Sequence, residues 1–150
     1  MLTKRLALAA FGFLLSVPVV TGVASAGDTR VLVAYLTGSN ELPGPGDPDA
    51  FGSATVTLVS PTSLCYSITV QNLGAAATAA HIHSGDASVA GGVFQALAVN
   101  ATVPFRIATC IAAVPAATIT ALRAKPDGFY VNVHTAAFGA GAVRGQLQAE

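Results

Sequence analysis

Leu64-Cys65-Tyr66-Ser67-Ile68-Thr69-Val70 alternates large apolar residues with small or polar ones. Successive side chains on a strand point to opposite faces, so Leu64, Tyr66, Ile68 and Val70 face a core while Cys65, Ser67 and Thr69 face outward. Outward along the chain the same period recurs. Ala54-Thr55-Val56-Thr57-Leu58 alternates with threonine, and Val31-Leu32-Val33-Ala34-Tyr35-Leu36 is a β-rich run ending at Gly38. Further strands are predicted over 79–83, 92–99, 105–111, 129–135 and 142–148. About eight short strands punctuated by Gly, Pro and Asn predict an all-β, antiparallel β-sandwich rather than an α/β fold.

One segment breaks the alternation. Pro115-Ala116-Ala117-Thr118-Ile119-Thr120-Ala121-Leu122-Arg123-Ala124-Lys125 carries Pro at its start, apolar residues at helical spacing and basic residues in its last turn. It predicts one short helix near 115–125, ended by Pro126-Asp127-Gly128. Residues 40–49 hold three Pro and two Gly and read as a loop, so Glu41, Asp47 and Asp49 are expected to be solvated.

The first 26 residues read as an address. Lys4 and Arg5 precede an apolar run from Leu6 to Val20, and Ala24-Ser25-Ala26 offers the small residues a signal peptidase needs. The run is shorter than the roughly 20 residues of a spanning helix, and Pro18 interrupts it. Residues 1–26 are therefore expected to be a signal peptide and 27–150 a single secreted domain without a transmembrane span. Of the 150 residues, 53% are hydrophobic and only 9% charged. Losing Lys4 and Arg5 leaves five basic against seven acidic residues, a net charge of −2. A nucleic-acid partner, which needs a basic stripe, is excluded on that balance.

Cys65 and Cys110 are the only cysteines, an even number in a chain expected to be secreted, and predict a disulfide. Both lie off the apolar face of their strands, so the bridge should staple neighbouring segments at the surface rather than cross the core.

All three histidines fall inside predicted strands. His81 and His83 share a face opposite Ala80 and Ile82, and Tyr130, Asn132 and His134 share one opposite Phe129, Val131 and Val133. Two imidazoles two residues apart on a strand, with a third from a neighbouring strand, can converge on one metal ion. Imidazole suits copper or zinc. The competing expectation is a hydrogen-bonded polar network that includes Asn132 and Arg144.

These residues also carry a resemblance. Ala80-His81-Ile82-His83-Ser84-Gly85, Tyr130-Val131-Asn132-Val133-His134-Thr135 and Gly141-Ala142-Val143-Arg144-Gly145-Gln146-Leu147 resemble the signature blocks of the CHRD domain, named after chordin. Leu36-Thr37-Gly38-Ser39-Asn40-Glu41-Leu42-Pro43 resembles its opening motif, and Gly52-Ser53-Ala54-Thr55-Val56-Thr57-Leu58 its second strand. Gly44 and Gly139 stand where the family usually has Pro. The resemblance spans roughly 31–148 and implies an extracellular, immunoglobulin-like or superoxide-dismutase-like β-sandwich. More distantly, the His-x-His strand resembles the copper strand of copper–zinc superoxide dismutase. That likeness would make His81, His83 and His134 copper ligands and Arg144 an anion guide.

No nucleophile elbow, phosphate-binding loop or dinucleotide fingerprint is present, and no residue is assigned a catalytic role. Two functions follow: a non-catalytic binding or structural module for an unknown extracellular or cell-envelope ligand, contacted through loops 39–51 and 84–91, or a copper- or zinc-binding domain. Dismutase-like redox activity is a third reading.

Overall fold

A computed structural model describes residues 29–150, so the expected signal segment lies outside the described residues. The strands are β1 (Arg30–Thr37), β2 (Phe51–Ser60), β3 (Ser63–Gln71), β4 (Ala77–Ser84), β5 (Val93–Leu97), β6 (Phe105–Ile111), β7 (Phe129–Thr135), β8 (Val143–Gln146) and β9 (Gln148–Ala149). One helix, α1 (Ala116–Ala124), lies between β6 and β7. The strand pairings are antiparallel and follow one path, β5-β4-β7-β8-β1-β2-β3-β6, with β9 on β1. The sheet curls into a half-barrel, sandwich-like fold, as the alternation predicts.

The curl has a local cause at the C terminus. Residues 142–148, expected as one strand, divide at Leu147. β8 pairs with β7 along Val133↔Val143 to Tyr130↔Gln146, whereas β9 pairs with β1 through Leu32↔Ala149 and Val33↔Gln148. Leu147 is fully buried between the two pieces, and its N–H reaches the Phe129 carbonyl at 2.9 Å. The direct β1–β8 ladder is a single pair, Thr37↔Arg144. The sheet therefore folds over at this narrow joint, with β5-β4-β7-β8 on one side and β1-β2-β3-β6 on the other.

Both halves send alternate residues into one core. Leu64, Tyr66, Ile68 and Val70 are buried, together with Leu32 and Leu36, Val56 and Leu58, Ile82, and Val131 and Val133. Each such side chain contributes about 1.5–3 kcal/mol by leaving water, which is what fixes strand register: a one-residue slip would reverse every face. Ile119 and Leu122 of α1 join this core, and the Val114 N–H binds the Thr62 carbonyl at 2.9 Å. The helix thus sits at the end of the sheet that carries the β2–β3 turn.

Cys65 and Cys110 are directly opposed in the β3–β6 ladder and form a disulfide with S–S 2.04 Å. The bridge lies on the outer face, between neighbouring strands. No helix among the described residues is long and apolar enough to cross a membrane.

Candidate metal centre

β4 and β7 pair in the register His81↔Asn132 and His83↔Tyr130, with Ala79↔His134 one step further. Ala80, Ile82, Val131 and Val133 take the inner face, so strand parity forces His81, His83, Tyr130, Asn132 and His134 to the outer one. The three histidines meet there, each with a ring nitrogen within 4.8 Å of the others. His81 and His134 are half-buried and His83 is buried.

Hydrogen bonds fix which nitrogens carry protons. His83 Nδ1 lies 2.9 Å from the Gly91 carbonyl and His134 Nδ1 lies 3.1 Å from the Gly139 carbonyl. A carbonyl only accepts, so both Nδ1 atoms donate and in the neutral rings both Nε2 atoms hold lone pairs. His81 Nδ1 sits 3.1 Å from His134 Nε2 and can donate to it. His83 Nε2 is buried without a hydrogen-bond partner. Asn132 Oδ1 lies 3.1 Å from His134 Nε2, a contact of two lone pairs that reversal of the amide or an intervening cation would relieve.

Burial disfavours charge on two of the three rings. Burial, and then the neighbouring His134 and His83, push the His81 pKa below its ordinary 6.5 against an opposing hydrogen bond that His81 donates to Asn132. Burial likewise lowers His134, opposed by its bond to Gly139. Protons therefore compete weakly for the His81 and His134 nitrogens at neutral pH.

Arg144 and Tyr130 extend the outer face away from the imidazoles. The Tyr130 ring stacks on His83 at a centroid distance of 4.9 Å, and the Arg144 guanidinium carbon lies 3.4 Å from the Tyr130 ring centre. Arg144 does not touch the histidines; its Nη2 donates to the Asp86 and Val89 carbonyls at 2.7 and 3.0 Å. The loop over 85–92 is thereby drawn down across β7. The Gly91 N–H donates to Tyr130 Oη at 3.1 Å. A Cβ at Gly91 would stand 1.4 Å from the Ser84 carbonyl oxygen, so only glycine lets the loop come this close.

The expectation of a solvated acidic loop is overturned for two of its three residues. Glu41 and Asp47 are buried. The loop folds back onto the β8 approach, with Gly46 N–H on the Gly38 carbonyl and Asp47 N–H on the Ala142 carbonyl, both at 2.8 Å. Gly141, at φ +147°, packs its backbone against the Glu41 carboxyl, and a Cβ there would come within 2.3 Å. Burial raises the Glu41 pKa from 4.5 to about 7, against the attraction of Arg144 and a hydrogen bond from the Leu42 N–H.

The model of one protein family, described as the CHRD domain, matches residues 32–147. No match was found among curated proteins or among solved structures.

Proposed function

The chain belongs to the CHRD domain family, and from that premise we propose that it is a secreted, non-catalytic binding module whose ligand is a copper or zinc ion held by His81, His83 and His134. The observation that carries this reading is the proton arrangement: backbone carbonyls hold Nδ1–H of His83 and His134, which leaves the His83 Nε2 lone pair without a partner and the His134 Nε2 lone pair held only by the His81 Nδ1–H that an ion would displace. Carbonyl acceptors on the far ring nitrogen orient metal-binding imidazoles and raise their basicity. Around an ion with bonds of about 2.0–2.1 Å, tetrahedrally placed nitrogens lie about 3.3 Å apart. The His81–His134 separation of 3.1 Å is close to that, and the three ligand nitrogens all lie within 4.8 Å of one another. Three protein ligands leave a coordination position open, and copper exceeds zinc in affinity at a given nitrogen site.

Secretion is part of the same reading, with residues 1–26 as the signal peptide. The family's extracellular character and the Cys65–Cys110 disulfide support it, since disulfides persist in oxidising compartments.

Calorimetric titration of the purified, chelator-treated protein with Cu2+ and Zn2+ tests the site. One ion per chain with Kd below micromolar is expected, with affinity falling at least about 100-fold in His83→Ala. Absence of binding below micromolar, or uptake unchanged in His83→Ala, overturns the reading. A superoxide assay on the copper-loaded protein is expected to show no turnover above free copper.

A further inference from the structure

A second outward cluster lies on the far side of Tyr130 from the histidines, where loops 38–50 and 85–92 meet over β8. A cleft of about 250 Å³ opens there, lined by Ser39, Asn40, Leu42, Ala87, Arg144 and Gln146. Arg144 is 2% exposed, so its charge is almost fully withdrawn from water. Its Nη2 is taken up by the Asp86 and Val89 carbonyls, while its Nη1 is buried without a hydrogen-bond partner. A desolvated guanidinium whose direct contacts are two carbonyls and the Tyr130 ring face still lacks an anion on Nη1, and one that reached it would offset the cost of burial. Glu41 attracts Arg144 but does not reach Nη1, and its own Oε1 is buried without a hydrogen-bond partner.

Gln146 supplies the opposite requirement. Its Nε2 points at three carbonyls, those of Gly85, Asp127 and Phe129, each at 2.8 Å. That crowd of acceptors fixes the amide orientation, so Oε1 faces the other way, buried and without a partner. An orphaned donor and an orphaned acceptor thus belong to two residues that line one cleft. A plain carboxylate would satisfy Nη1 but leave the acceptor unmet; a neutral amide or alcohol would leave the guanidinium charge uncompensated. Leu42 and Ala87 add apolar lining, and the volume lies below the roughly 300–1,000 Å³ of pockets for drug-sized molecules.

We propose that this cleft binds a small carboxylate with an adjacent hydroxyl or amino group, of the 2-hydroxy or 2-amino acid class, the carboxylate on Arg144 Nη1 and the donor on Gln146 Oε1. The site is separate from the histidine cluster and does not depend on a metal there.

Nuclear magnetic resonance titrations on chelator-treated protein test it, because removing metal prevents carboxylates from binding through an ion. Glycolate and glycine represent the hydroxyl and amino versions of the ligand. Acetate lacks the donor, and glycolamide lacks the charge. Glycolate or glycine should bind with Kd between about 10 µM and 1 mM, the range open to five non-hydrogen atoms, and at least about tenfold more tightly than acetate or glycolamide. Arg144→Gln should abolish that binding. Because Arg144 is also packed, Ala87→Phe provides the cleaner variant: Ala87 is exposed on the loop, and a ring there fills the cleft without entering the core. Its thermal unfolding should match the parent while binding is lost. The proposal is overturned if neither glycolate nor glycine binds, if acetate binds equally well, or if Ala87→Phe retains binding.

Discussion

The two halves of the curled sheet have the same inner face and opposite outer ones. On β2, β3 and β6 the outward residues include Thr55, Thr57, Cys65, Ser67, Ala108 and Cys110, which stay exposed or half-buried with no loop across them. On β4, β7 and β8 they include His83, Tyr130, Asn132 and Arg144, all at least nine-tenths buried although they point away from the core. Strand parity alone cannot make that difference. Loops 38–50 and 85–92 fold over the second outer face and remove its polar side chains from water, where imidazole, carboxyl and guanidinium groups change their chemistry most. The open half staples the fold; the covered half holds the groups that can bind.

The comparison is broken most severely at the disulfide. Cys65 and Cys110 are 45 residues apart, and removing the bridge in Cys65→Ser/Cys110→Ser should cost about 3–4 kcal/mol from unfolded-chain entropy. Urea denaturation should show the lowered midpoint, while the affinity of the folded protein for copper or zinc stays that of the parent. A parallel loss of metal affinity would mean that the halves are not separable.

Glu41 probes the covered side. Its folded-state pKa of about 7 lies above the ordinary 4.5, so folding favours the protonated form. The stability this group contributes is complete below about pH 4.5 and is lost as pH rises through about 7. Glu41→Gln stays neutral throughout. Thermal melts should therefore show the variant gaining on the parent from pH 5 to pH 8, by on the order of 2 kcal/mol once partial solvent screening is allowed for. Equal pH profiles would place the Glu41 carboxyl in water after all.

The strands, the helix and the surface disulfide were legible in the sequence because each depends on local periodicity or cysteine arithmetic. Leu64 to Val70 is readable without knowing its partners, since a one-sided core demands alternation. The meeting of His81, His83 and His134 followed from the same parity once β4 and β7 were neighbours. The break at Leu147 was not legible, because the residues on either side keep alternating and only the change of partner from β7 to β1 divides them. Burial of Glu41 and Arg144 was hidden for a similar reason: Pro- and Gly-rich loops read as solvated, and nothing local tells that they fold back onto β8. Gln146 could be placed on the outer face, but its three carbonyl acceptors come from residues distant in the chain.

Tyr130→Phe sharpens the comparison at the cover itself. The substitution keeps the ring against His83 and Arg144 and removes only the hydroxyl, which accepts from the Gly91 N–H at 3.1 Å and donates weakly to the Gly91 carbonyl at 3.4 Å. Loss of one such bond should cost about 1 kcal/mol. Amide hydrogen exchange at Gly91 should accelerate about fivefold while exchange in β3 is unchanged. Equal acceleration in both places would show that the loop opens only when the whole domain does.

The smallest effect belongs to the open face, and its smallness is the point. Ser67 sits on β3 opposite Thr55 and Ala108, and it is exposed. Ser67→Ala removes a hydroxyl that water already satisfies and leaves the inner face of β3 untouched. The change should shift stability by less than about 0.5 kcal/mol in urea and alter neither metal uptake nor glycolate binding. Asn132→Ala, equally outward by parity, removes a nearly buried amide at the His134 contact and should weaken metal binding. If Ser67→Ala matched it, the division between a stapled half and a binding half would fail, because an exposed position far from the histidines would matter as much as a buried one beside them.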